Sequence, residues 1–153
     1  MKIEKLEHLL ATAEQWAKDL HAGQKYAFDD DYFEAHIKEV EKTVIELTRS
    51  SSFTRTERYL ARIVALLHDI IEDTDCTLAD VQRTFGTRIA QCVLNLTKVS
   101  KESWEAQWSR ATRDPISLVV KKAAMMVNLR TSLANSRINL IEKYTTGLRY
   151  LSL

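Results

Sequence analysis

At 153 residues the chain has the length of one domain, long enough to bury a hydrophobic core without disulfide or metal staples. Apolar residues make up 45% and charged residues 28%, which excludes a disordered chain; 22 basic against 21 acidic residues leave a net charge of +1, which excludes a general attraction to nucleic acid or membrane. Three glycines and one proline are too few for a hairpin-rich fold, so an all-α single-domain bundle is expected.

In chain order, Ile3, Leu6, Leu9, Leu10, Ala13, Trp16, Ala17 and Leu20 recur at helical spacing and predict an amphipathic helix ending near Gly23. Asp29-Asp30-Asp31 reads as a solvated loop. Phe33, Ile37, Val40, Val44 and Leu47 form the stripe of a second helix from about 33 to 47, broken at Ser50-Ser51-Ser52. The third, from about Glu57 to Ile71, is apolar nearly all round through Ile63-Val64-Ala65-Leu66-Leu67 and Ile70-Ile71, which predicts the central buried helix. Thr77 fits the N-cap of a short helix to Phe85, and Gly86 opens another running to about Leu96. Trp104 to Ala111, Pro115 to about Leu133, with the proline in the first turn, and Arg137 to Leu151 complete the set.

Cys76 and Cys92 have neither CxxC spacing nor the number needed for a disulfide framework, and read as ordinary thiols in a reducing compartment. No apolar run approaches the ~20 residues that span a bilayer and no signal-peptide core is visible, so a cytoplasmic protein is expected.

The chemistry concentrates in Leu66-Leu67-His68-Asp69-Ile70-Ile71-Glu72-Asp73-Thr74. Four ionisable groups lie in or directly after the most apolar helix, where an uncompensated charge is costly. On a continuous helix Glu72 stands one turn beyond His68 and Asp73 one turn beyond Asp69, giving two polar rows on one face. An imidazole beside a carboxylate can ligate a divalent ion, leaving the next turn's carboxylates to handle a water molecule; the alternative is an exposed helix end with ion pairs. Two ligands do not hold a catalytic metal, so a third is expected from another helix. His36, at the edge of a buried stripe, is the leading candidate, although a lone histidine there is equally a core residue. His21, at the end of the first helix, is either structural or a substrate contact.

His21-Ala22-Gly23-Gln24, His36, the Ala65–Thr74 block, Phe85-Gly86, Leu96-Thr97-Lys98 and Asn128-Leu129-Arg130-Thr131 follow one another in the order of the hydrolase domain of the RelA/SpoT family, over roughly residues 10 to 135. The single-domain length resembles the small alarmone hydrolases. This resemblance implies an HD-type helical domain and a manganese-dependent 3′-pyrophosphohydrolase of guanosine tetra- or pentaphosphate. It implies His36, His68 and Asp69 as metal ligands, Glu72 and Asp73 as the residues activating or positioning water, and Lys25, Asn128 and Thr131 as substrate contacts.

The chain departs from the family pattern in three places. The segment from Lys25 to Ile37 lacks the family's arginine and its Pro-Tyr-x-x-His-Pro ending, and it carries the acidic Asp29-Asp30-Asp31. The family's fourth metal ligand, an aspartate four residues before the asparagine of the Asn-x-Arg-Thr block, is here Ala124. Ala124, Asn128 and Thr131 share one helical face, so a site-facing surface is expected with its carboxylate missing. Loss of such a ligand predicts a weak or inactive enzyme. Two further readings stay open: a non-catalytic guanine-nucleotide-binding module, and an HD phosphohydrolase of another nucleotide.

Overall fold

A computed structural model describes residues 1–49 and 52–152. Nine α-helices account for most of them: α1 (Ile3–Leu20), α2 (Lys38–Thr48), α3 (Arg55–Leu67), α4 (Ile70–Asp73), α5 (Leu78–Phe85), α6 (Thr87–Leu96), α7 (Trp104–Ala111), α8 (Pro115–Ala134) and α9 (Ile138–Leu151). Between α1 and α2 lie a two-stranded antiparallel hairpin, β1 (Lys25–Tyr26) and β2 (Asp30–Asp31), and a π-helical turn, Phe33–Ile37.

The central helix is α3, as its composition predicts. Ala61 and every residue from Ile63 to Leu67 are buried, and α1, α2, α6 and α8 pack around them. The first turn of α3 is set by Thr54, whose hydroxyl accepts from the Glu57 N–H while the Glu57 carboxylate accepts from the Thr54 N–H. Thr77 and Asp80 form the same reciprocal box at α5, and Pro115 occupies the first turn of α8 behind the Asp114 cap. A smaller core of Trp108, Met125 and Leu151 joins α7, α8 and α9.

The structure corrects the expected elements in three places. The helix expected from Glu57 to Ile71 stops at Leu67; Asp69 adopts φ −105° and ψ 3°, and a single turn, α4, follows in a new direction. The helix expected from Phe33 begins as the π-helical turn, in which the extra residue shifts the register around His36. The acidic loop is a hairpin whose turn places Phe28 and Asp29 at positive φ, 57° and 65°, without a glycine. Of the expected Ser50–Ser52 break, Ser50 and Ser51 lie outside the described residues. Among the described residues no helix is long and apolar enough to cross a membrane.

Candidate metal centre

Two of the candidate ligands stand at the end of α3: His68 is its C-cap, and Asp69 follows with bridge-region backbone, φ −105° and ψ 3°. His68 Nε2 lies 3.1 Å from Asp69 Oδ2, His36 Nε2 lies 3.4 Å from the same oxygen, and the two Nε2 atoms are 3.4 Å apart. These are the three donors expected at the sequence level, brought together from the π-helical turn and the end of α3. Ligands about 2.0–2.2 Å from an ion stand roughly 3.0–3.5 Å from one another, so the spacing fits one divalent cation.

Hydrogen bonding prepares these donors. The Ala65 carbonyl accepts from His68 Nδ1 at 2.6 Å, which fixes the tautomer and turns the Nε2 lone pair toward His36 and Asp69. Burial lowers the His36 pKa, so that ring presents a neutral imidazole. Burial also disfavours charge on His68 and Asp69, but their mutual attraction overrides it: His68 is raised and Asp69 is held well below the usual carboxylate range. A cation bound here displaces the His68 proton, so metal affinity is coupled to pH.

The cluster forms one wall of a cavity of about 200 Å³. Ala124, 7% exposed, lines that cavity from α8, with a methyl group where a fourth carboxylate is expected. Glu72 also lines it. Although the residue as a whole is exposed, its carboxylate accepts the Lys98 N–H, and burial of the carboxyl raises its pKa. Arg110 holds the turn that presents Lys98, donating to the Leu94 and Thr97 carbonyls at 2.9 and 2.8 Å and pairing with Glu102 at 2.6 Å.

The remaining sequence candidates are dispersed. Asp73 does not line the cavity, although burial and the Asp69 charge raise its pKa; its backbone carbonyl accepts from Gln24 Nε2 at 2.7 Å, while His21 Nδ1 lies 2.9 Å from Gln24 Oε1. That chain ties His21 to α4 through Gln24 and gives it a structural part. Lys25 is exposed and borders neither this cavity nor its neighbour. Asn128 lines the metal cavity, whereas Thr131 lines an adjoining cavity of about 220 Å³.

Other residues enter the site that the sequence reading did not single out. Tyr32 donates a short hydrogen bond to Asp69 Oδ2, the oxygen that faces both imidazoles. Lys98, Lys121 and Lys143 line the same cavity. Lys143 lies 5.0 Å above the Trp104 ring and 5.3 Å above that of Tyr144, and burial lowers its pKa and that of Lys121. Two signals were available: Tyr32 precedes His36 by four residues, and Lys121 precedes Ala124 by three.

Comparison with known proteins bears on the family and the fold. Residues 13–150 match the family described as HD domain. The chain is 35% identical over 124 residues to the GTP pyrophosphokinase rsh of Brucella ovis, and 28% identical over 127 residues to the guanosine-3′,5′-bis(diphosphate) 3′-pyrophosphohydrolase of Aquifex aeolicus. Those matches cover 81% and 78% of this chain but only 14% and 17% of the relatives, so the chain spans a small part of their length. A solved structure, described as a metazoan ortholog of SpoT that hydrolyzes ppGpp, superposes with a TM-score of 0.70 over 92% of this chain and 85% of its own at 19% identity, which shows a shared fold. The chain belongs to the HD-domain family, and within it resembles the RelA/SpoT type.

Proposed function

We propose that the protein is a manganese-dependent 3′-pyrophosphohydrolase of guanosine tetra- or pentaphosphate, slowed by the methyl group at Ala124. The observation that carries this reading is the convergence of His36, His68 and Asp69 on one point in a cavity that three lysines also line. Carboxylate and imidazoles suit a divalent cation, and the lysines suit the oxygens of a polyphosphate. When bound, the cation supplies Lewis acidity and a more acidic water.

The protein's own groups do the rest. Glu72, with its raised pKa, is the carboxylate placed to take a proton at the cavity wall, and the Lys98 N–H fixes its orientation. Lys98, Lys121 and Lys143 neutralise phosphate oxygens as charge moves toward the leaving pyrophosphate. Asn128 and Thr131 border the space for the nucleoside. Asp73, whose carboxyl lies in the field of Asp69, His68 and His36, is the second carboxylate proposed to position water. Neither nucleic acid nor membrane is expected as a partner, and the proposed setting is the cytoplasm.

A second reading, a nucleotide-binding module without turnover, is favoured by the Ala124 methyl group in the cavity wall. Manganese binding and phosphate release, measured on the native chain and on His68→Ala with a panel of mono- and diphosphorylated nucleotides, test the proposal. Manganese-dependent pyrophosphate release from the 3′-diphosphate alone, lost in His68→Ala, is the expected result. Metal and nucleotide binding without release selects the second reading, and release from a different nucleotide selects another HD phosphohydrolase.

A further inference from the structure

Tyr26 stands between two cavities and lines both. On one side is the metal cavity of about 200 Å³; on the other is the cavity of about 220 Å³ bordered by Thr131, Asn135, Arg137 and Leu140. Asn128 and Tyr144 are also common to both, so the two spaces adjoin across a single wall. The Tyr26 ring lies 4.9 Å from His36 and 5.8 Å from Tyr32. Its hydroxyl reaches across to α8, donating to Asn128 Oδ1 at 2.8 Å and lying 3.1 Å from Thr131 Oγ1.

We propose that the Tyr26 phenol is a latch that divides one substrate cleft in two and sets which phosphate compounds enter without opening it. This rests on the reading of the site as a nucleotide site. Pockets that enclose a drug-sized molecule occupy about 300–1,000 Å³, so the metal cavity alone suits a phosphate or diphosphate group, whereas a nucleoside diphosphate needs both halves. The second half is lined mainly by apolar surface, and the buried Asn135 Oδ1 at its border has no hydrogen-bond partner. To join the halves, the phenol must leave Asn128 and Thr131, freeing these two polar groups for the nucleoside.

The element carrying the latch is suited to move. The hairpin has two residues per strand, Phe28 at its tip is 84% exposed, and its turn holds two non-glycine residues at positive φ. Binding that requires a minor open state is weakened by the fraction of molecules in that state. The hydroxyl bonds therefore penalise a nucleoside diphosphate and leave a small anion unaffected.

The test uses the full chain with Mn2+ present and reads quenching of tryptophan fluorescence, since Trp104 and Trp108 line the metal cavity. Guanosine diphosphate and inorganic pyrophosphate are titrated separately into the native protein and into Tyr26→Phe, which keeps the ring and removes the latch. The expected result is a rise of about tenfold in the ratio of guanosine diphosphate to pyrophosphate affinity, the worth of one to two neutral hydrogen bonds. A ratio that stays the same or falls, in a variant with native melting temperature, overturns the latch. If Tyr26→Phe melts early, both proteins are titrated again at a temperature where each is fully folded, and a ratio that does not rise there overturns the proposal. Binding of neither ligand to any of these proteins overturns the nucleotide reading and the latch with it.

Discussion

Asp69 Oδ2 serves three neighbours at once: His36 at 3.4 Å, His68 at 3.1 Å and the Tyr32 hydroxyl. A carboxylate oriented by such a partner binds metal better, and loss of the partner typically costs ~10–100-fold. Tyr32→Phe should therefore weaken manganese binding by about tenfold or more in a calorimetric titration; an unchanged isotherm would remove Tyr32 from the site. Glu72→Gln should retain metal binding and lower kcat by roughly 10²–10⁴, because the amide keeps the shape but cannot accept a proton. The raised Glu72 pKa gives this role a pH signature. The deprotonated form works, so turnover falls as pH drops through a value above the ordinary 4.5 of glutamate. The linkage to stability runs the other way: the folded chain holds this proton more tightly, so Glu72 favours folding below its ordinary pKa and that contribution is lost as pH rises through the folded value. A pH profile of kcat/KM whose acidic limb is unchanged in Glu72→Gln would contradict the assignment.

The elements that carry these residues were legible where hydrophobic period and capping residues agree. Thr77, Gly86 and Pro115 stand where the helix boundaries form, and the apolar run of α3 is buried as expected. The break at His68–Asp69 was not legible, because Ile70 and Ile71 continue the apolar pattern and conceal the change of direction. Glu72 and Asp73 both follow that break on α4, and of the two only Glu72 lines the cavity. The hairpin was missed because no Asn-Gly or Gly-Gly pair announces it; Phe28 and Asp29 take the positive φ values instead. Since α3 ends at the metal ligands, its start matters to the site. Thr54→Ala removes half of the capping box and should destabilise the fold by about 1 kcal/mol. For a chain of this size the melting temperature should fall by roughly 2–4 °C. No change in thermal denaturation would mean that the α3 cap contributes nothing measurable.

Across the whole molecule, the donor cluster was accessible from sequence because its residues lie in one recognisable block plus His36. The set of three lysines was not, because Lys98 follows α6, Lys121 lies on α8 and Lys143 on α9, and they meet only when these elements pack together. Thr131 and Lys25 were expected as substrate contacts; Thr131 borders the adjoining cavity and Lys25 is exposed. The proposed function needs a phosphate-binding cavity beside a three-donor metal centre that lacks one carboxylate on α8. The direct test is the rate of pyrophosphate release from guanosine tetraphosphate, at saturating manganese, by the native chain and by Ala124→Asp. The account predicts a rate at least ~10–100-fold higher for Ala124→Asp, the cost usually attached to losing even an outer partner of a metal. Equal rates in the two proteins, both high or both absent, would contradict it.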